Sequence, residues 1–387
     1  MKSMKSKPVA LSALTLAVAM FAAQASAQTS PVRTASGSFN GIDWQAQSLV
    51  IGQTSTANIT AGGNPIYTAP MPQYNGVVSL IMTYTGLGSF ICTGSLLPDR
   101  QSVLTAAHCV TNGATLANPN ATTAYFYGGP NPDTTVAFNP AATAVAASQY
   151  FVNPGYTGQV IDQNDIAVIR LAAPAPTWAN SYGLSGVSDL TSSTFNLAGY
   201  GRRSSIGGAV GANLGTNVLR QGDNRYDFRF GDADFPADYW DGVFDNPSLP
   251  SAQVAYSYVS DFDNGTAARD ATAFLAADPD FNLSGPKYEN WGVGQTEVGV
   301  AGGDSGGPQF IGGRISSVTS YGLSFGTTYG DIDGALNSSF GEFSGYVPVY
   351  IHAAFINASL VPEPGTYGMM ALGLMAVGLA ARRRRTV

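Results

Sequence analysis

Short apolar runs bounded by turn residues recur along most of the chain, and few stretches keep a helical period. Val77-Val78-Ser79-Leu80-Ile81-Met82 and the run from Phe90 to Leu97 read as strands around a turn at Gly86-Leu87-Gly88. Similar short strands are predicted at Ser102 to Leu104, Thr123 to Tyr127, Ile166 to Leu171, Phe195 to Ala198 and Ile315 to Val318. Only Ala268 to Ala276 and Tyr350 to Leu360 look helical in the body, and no repeat of fixed period is visible. Ahead of this body, residues 28–72 are rich in Ser, Thr, Gly, Gln and Ala, with strand-like runs at Ser48 to Ile51 and Ala57 to Thr60. That segment reads as an N-terminal extension or a propeptide-like piece, leaving 73–360 as the main body.

Composition agrees with a β-rich body. Charged residues make up 11 % of the 387, against 46 Gly and 19 each of Tyr and Phe. Few charges with many small and aromatic residues suit short strands and tight turns better than surface helices. The net charge of −7 hides an uneven distribution, because basic residues gather at Lys2, Lys5, Lys7 and Arg382 to Arg385. Without residues 1–27 and 361–387 the chain keeps 11 basic and 24 acidic residues, a net charge near −13. Such a body repels nucleic acid, whose phosphates need clustered Lys and Arg. With two Cys and two His, the chain lacks the ligands of a zinc ribbon or a Cys/His cluster, and no cofactor is expected. Residues 222–290 hold twelve Asp. Asp261-Phe262-Asp263-Asn264-Gly265 has part of a calcium-loop pattern, but its Gly comes one residue early and no Glu closes it. The expectation there is a solvated acidic insert and no metal.

Both ends read as addresses. Lys2, Lys5 and Lys7, an apolar run from Pro8 to Ala23 and the small-x-small site Ala25-Ser26-Ala27 describe a secretory signal peptide over 1–27, removed by signal peptidase. Export puts the cysteines where a disulfide persists. At the other end, residues 361–387 combine Pro362-Glu363-Pro364, an apolar stretch from Tyr367 to Ala381 and Arg382 to Arg385. Fifteen apolar residues make roughly 23 Å of helix, near the lower limit for a bilayer core. This tripartite tail resembles the bacterial PEP-CTERM sorting signal. The resemblance implies transient membrane anchoring, processing by an exosortase-type enzyme, and delivery to the cell surface or beyond.

Three segments carry candidate chemistry: Leu104-Thr105-Ala106-Ala107-His108-Cys109, Asn164-Asp165 with Ile166 to Leu171, and Gly302-Gly303-Asp304-Ser305-Gly306-Gly307-Pro308. A serine hydroxyl is a poor nucleophile until a base takes its proton, and imidazole suits that role near neutral pH. A buried carboxylate must then fix the imidazole tautomer. The candidates are His108, Asp165 and Ser305; His352, the other histidine, lies in the C-terminal helix-like segment. Acyl transfer also needs preorganised N–H donors, which Gly303 and Ser305 can supply.

These segments closely resemble the trypsin/chymotrypsin family of serine peptidases. Further matches are Cys92-Thr93-Gly94-Ser95-Leu96-Leu97, Gly199-Tyr200-Gly201 and Thr319-Ser320-Tyr321-Gly322. The resemblance spans roughly 73–358. It implies an all-β fold of two six-stranded antiparallel barrels with a short C-terminal helix, the acidic segment lying as an insert in the second. It implies a catalytic triad of His108, Asp165 and Ser305, with Gly303 and Ser305 as the oxyanion hole. It also implies a substrate cleft at Gly299, Val300, Ser320, Tyr321 and Gly322, and a Cys92–Cys109 disulfide across the histidine loop. Closing a loop of that size stabilises by roughly 3 kcal/mol in the chain-entropy model. The expected activity is hydrolysis of protein or peptide substrates through an acyl-enzyme. A non-catalytic surface or matrix protein on the same fold is the alternative, and an esterase a third. Two departures matter. The family pairs the residue before the nucleophile, here Asp304, with an Ile-Val-Gly-Gly terminus, and only a loose echo stands here, Ile59 to Gly63. The pocket-base position is Gly299, with no carboxylate, so an uncharged P1 side chain is expected; Asp331 or Asp333 are the acids that could change this.

Overall fold

The computed structural model describes residues 28–29, 34–47, 51–112, 115–360 and Met375. The expected signal peptide, residues 48–50 of the first strand-like run, and the apolar tail apart from Met375 lie outside these. Among the described residues no helix is long and apolar enough to cross a membrane.

Strands Val77–Tyr84, Gly88–Leu96, Ser102–Thr105, Ala121–Phe126, Thr143–Val152 and Ala167–Leu171 pair antiparallel in a ring that closes between Gly88–Leu96 and Ser102–Thr105. Successive side chains leave opposite faces of a strand, and here both faces are covered. Val78, Leu80 and Met82 join a buried cluster with Phe126, Ala167 and Ile169. Val77 and Ile81 join another that includes Ala198, Phe310, Ile315 and Val347 of the second sheet. Double-sided burial explains why this strand reads as a continuous apolar run.

The second sheet is a curled half-barrel in the order Arg220–Arg225, Thr194–Gly199, Pro308–Ile311, Arg314–Ser324, Phe343–Pro348, Tyr258–Asp261 and Phe228–Arg229. Only Tyr226 and Asp227 separate its first and last strands in the chain. Tyr350–His352 forms a short turn of helix that leads into the C-terminal helix Ala353–Ser359. The mostly-β architecture of two sheets and a terminal helix is the one the motifs implied.

Two regions differ from expectation. Residues 222–290 lie in the second sheet, but not as solvated decoration. They supply strands Phe228–Arg229 and Tyr258–Asp261, helix Ala271–Ala276, and an aromatic core of Phe228, Phe230, Phe235, Trp240 and Phe244. The acids ride on a segment whose aromatics must be buried, and several are carried inside with them. The N-terminal extension is structured too. Ala35–Phe39 and Ile42–Gln47 form a hairpin, and its second strand pairs with Arg314–Ser324 through Gln47–Gly322, Ala46–Leu323 and Gln45–Ser324. Its turn is Asn40-Gly41, both at positive φ (50° and 87°), the strongest short hairpin signal. Ile42, Trp44 and Ala46 alternate into the core, with Trp44 edge-on to Phe244 at 5.1 Å. The run Ala57 to Thr60 is not a strand; Ile59–Ala61 makes a helical turn.

Candidate active site

Strand pairing brings His108 and Asp165 together. Ala167 lies opposite Thr105, so the residues just before Ala167 meet those just after Thr105. His108 sits in the short turn Ala107–Val110. Its Nδ1–H donates to Asp165 Oδ2 at 2.7 Å and its backbone N–H to Oδ1 at 2.8 Å. Ser320 Oγ donates to the same Oδ2 at 2.5 Å. Asp165 is buried, which pushes its carboxyl up, but the pull of His108 and the hydrogen bonds from His108 and Ser320 outweigh this and leave it below the ordinary range. His108 Nε2 is buried and has no partner among the described residues.

The loop before Asp165 is itself anchored. Asp162 accepts from Thr157 N, Thr157 Oγ1 and Asn164 N, each at 2.8 Å. Burial pushes its carboxyl up to about 6 despite these bonds. His352 donates from Nε2 to the Gln163 carbonyl at 2.7 Å and accepts at Nδ1 from Asn153 Nδ2 at 2.9 Å. Burial lowers its pKa, so it is a neutral imidazole with both nitrogens engaged. It clamps the C-terminal helix to the aspartate loop and holds no position beside Ser305.

Ser305 sits on a turn pressed against the histidine strand. Its carbonyl accepts from Thr93 N at 2.9 Å. Gly306, at φ 77°, passes so close that a Cβ there would lie 2.0 Å from Thr105 Oγ1 and 2.6 Å from Ala106 N; only glycine fits. Thr93, a residue the sequence did not mark for this role, donates from Oγ1 to the Gly303 carbonyl at 2.8 Å and accepts from Tyr200 N at 3.0 Å. Among the described residues the amides of Gly303 and Ser305 donate to no protein acceptor. Asp304 is buried, accepts from Gly201 N at 2.8 Å and Ala301 N at 3.2 Å, and burial raises its pKa well above the carboxylate range. Gly199 and Gly201 flank it so tightly that a Cβ on either would strike its carboxylate. Ile59 in the loose terminus echo is exposed and donates its amide to Asp133, far from this role.

The candidate cleft residues line up along two backbone edges. Gly299 pairs with Ile51, and a Cβ at Gly299 would meet the Phe262 ring at 3.0 Å. Val300 is buried, its amide held by Ser344 Oγ. Ser320 lies at a bulge, Tyr321 buries its ring with its hydroxyl on Ser257, and Gly322 pairs on one side with Ser344 and on the other with Gln47. Asp331 is committed to Ser324 Oγ and to the amides of Asp333 and Gly334. Asp333 is committed to Ala335 N and Asn337. Both acids are held by donors of their own loop or of Ser324. Ser305 as a whole residue is 1 % exposed.

Cys92 and Cys109 are disulfide-bonded, with Cα atoms 6.2 Å apart, tying strand Gly88–Leu96 to the His108 turn. The Trypsin family model matches residues 66–224, which hold Cys92, His108, Cys109 and Asp165, while Ser305 lies beyond the match. The PEP-CTERM protein-sorting motif matches residues 360–385, the mark of an exported, exosortase-sorted cell-surface protein. No curated protein matches the chain.

Proposed function

We propose, from the premise that this chain carries a trypsin-family domain and a PEP-CTERM sorting motif, that it is a serine endopeptidase of the cell surface or its exterior. One observation carries the reading. His108 donates Nδ1–H to a buried Asp165 and keeps Nε2 without a partner, beside a turn whose glycines press Ser305 against the same strand. Nε2 takes the Ser305 proton as Oγ bonds to the scissile carbonyl carbon. The Gly303 and Ser305 amides receive the oxyanion. The imidazolium then protonates the leaving amine, and a water deprotonated by His108 releases the acyl group. Asp165 holds the tautomer, and Ser320 holds Asp165.

The deep burial of Ser305 and the hairpin on the neighbouring strand support a latent state. Arg314–Ser324 has two edges: Phe343–Pro348 takes one, and the other is shared by Pro308–Ile311 along 314–318 and Ile42–Gln47 along 322–324. A peptide binding by strand addition needs that second edge. Residues 28–72 therefore act as a propeptide-like segment whose hairpin fills the substrate's place. The apolar surroundings of Gly299 and the engaged Asp331 and Asp333 support an uncharged P1 side chain.

A fluorophosphonate probe tests the activity. Labelling should be slow in the full chain, rise when the segment through Gln47 is released, and vanish in Ser305→Ala. A folded protein unlabelled in every form overturns the reading and favours a non-catalytic surface or matrix binder. Ester turnover without peptide cleavage would point to an esterase. Dominant cleavage after Arg or Lys in a peptide library would overturn the specificity.

A further inference from the structure

The turn that follows strand Tyr258–Asp261 carries acids that the proposed peptidase chemistry does not use. One carboxylate oxygen each from Asp261, Asp263 and Asp270 lies within 4.8 Å of the others, and all three residues are buried. Part of the set is occupied: Asp261 Oδ2 accepts from Thr272 N and Asp270 Oδ1 from Ala273 N, both at 2.8 Å. Asp263 is different. It is 0 % exposed, it points into the cluster, and neither carboxylate oxygen has a hydrogen-bond partner. The Thr272 hydroxyl, beside Asp261, is likewise buried without a partner.

The surroundings add negative charge. Asp227 accepts from Asp261 N at 3.0 Å, and Glu297 accepts from Asp263 N at 2.6 Å. Arg225 approaches Asp227 at 4.0 Å, and among the described residues no Lys, Arg or His pairs with Asp261, Asp263 or Asp270. Three buried carboxylates this close repel one another. Leaving such a set ionised, buried and unpaired is strongly unfavourable. A bound cation removes that cost.

We propose that Asp261, Asp263 and Asp270, with the Thr272 hydroxyl beside them, form a calcium site. Calcium takes oxygen ligands at about 2.3–2.6 Å, so oxygens on opposite sides of the ion stand about 4.6–5.2 Å apart. The three carboxylate oxygens, all within 4.8 Å of one another, lie close enough to share one such ion. Magnesium needs about 2.0–2.1 Å and keeps several waters, which suits a buried carboxylate set less well. The ion's role is structural. Phe262, between two of the ligands, packs against Phe340 at 4.9 Å and under Gly299. Glu297 ties Asp263 to the strand Val298–Gly299. A cation at this turn fixes the floor beneath Gly299.

Equilibrium dialysis of the EGTA-stripped full chain with radioactive calcium should find about one ion per chain. Thermal melts should rise by at least about 5 °C in saturating calcium and much less in magnesium. Asp263→Asn should weaken calcium binding at least tenfold while far-UV circular dichroism stays the same. Asp270→Asn keeps an N-capping oxygen and should weaken binding in the same direction, so it serves if Asp263→Asn does not fold. No binding by the stripped wild type would mean that shared protons alone neutralise the cluster, and the proposal falls. Unchanged affinity in the folded variants, or magnesium bound as tightly as calcium, overturns it too.

Discussion

Asp165 takes His108 N, His108 Nδ1 and Ser320 Oγ on its two oxygens, so each donor can be removed separately. Asp165→Asn replaces an acceptor with an amide and lets the imidazole adopt the wrong tautomer; a loss of about 10⁴ in kcat is expected. Ser320→Ala leaves His108 bonded and should cost only about tenfold in kcat with KM nearly unchanged, because Ser320 positions Asp165. Its steady-state pH profile should move as the Asp165 carboxyl loses a donor, and an unchanged profile would reduce Ser320 to a packing residue. Glu342 offers a second residue-scale test. Burial pushes its carboxyl up to about 8, although Asn337 N and Ser339 N both donate to it. The folded chain then holds a proton that the unfolded chain has released above pH 4.5, so stability falls as pH rises from about 5 to 8. Glu342→Gln should flatten that decline by up to about 1.4 kcal/mol per pH unit in urea unfolding; an unchanged slope would show that Glu342 titrates normally. His108, Asp165 and Ser305 stood out in the sequence as candidates because acyl transfer demands those residue types in motifs. Thr93 and Ser320 were not legible as supports, since a hydroxyl's partner depends on folding. The buried Asp261, Asp263 and Asp270 were misread because aspartates in a turn-rich run are ordinarily solvated.

Elements were legible where apolar residues form the strand. Val77–Tyr84 and Gly88–Leu96 agree with the runs read from sequence. Arg220–Arg225 gave no signal, because its inward positions are Arg220, Gly222 and Asn224. Arg220 is buried by donating to the carbonyls of Thr56 and Ala57 and to Asp133 at 2.7 Å, a set of partners supplied by distant loops. Thr143–Val152 was missed for another reason: half-exposed and rich in Ala, it shows little contrast between faces. The hairpin Ala35–Gln47 was missed: Asn40-Gly41 and the alternation of Ile42, Trp44 and Ala46 were signals for it, but the polar flanks concealed them. That hairpin is the element to perturb. Trp44→Ala removes a buried aromatic and should cost about 3–5 kcal/mol, loosening the strand on Gly322. Fluorophosphonate labelling of Ser305 should then accelerate at least tenfold at temperatures where the protein stays folded. A lower melting temperature with unchanged labelling would show that the hairpin is a brace and not a gate. The disulfide acts on another element. Cys92→Ala with Cys109→Ala frees the loop around His108 and should lower stability by about 3 kcal/mol, measured by denaturant unfolding.

At the scale of the whole molecule, the tail and the folded body meet at a defined boundary. The C-terminal helix Ala353–Ser359 is fastened at its end by Arg170, whose Nη2 donates to the Ser359 carbonyl at 2.5 Å. It is fastened at its start by His352, bonded to Asn153 and Gln163 ahead of Asp165. The sorting motif begins at residue 360, immediately beyond the last of these attachments. A chain ending at Leu360 keeps every one of them, so exosortase processing near that point should release the body without disturbing it. We expect the melting temperature of the Leu360-terminated chain to stay within about 2 °C of the full chain, since every one of these attachments is kept. Its export should move from the membrane fraction to the medium. Ending the chain at Val349 removes His352 and the helix, and leaves Arg170 and the Gln163 carbonyl with buried polar groups unsatisfied. A loss of at least about 3 kcal/mol is expected, together with loss of fluorophosphonate labelling because the aspartate loop is no longer held. If the Leu360 chain unfolds like the Val349 chain, the tail belongs to the fold and the boundary is misplaced. If both stay folded, His352 is not the clamp that sets Asp165 beside His108.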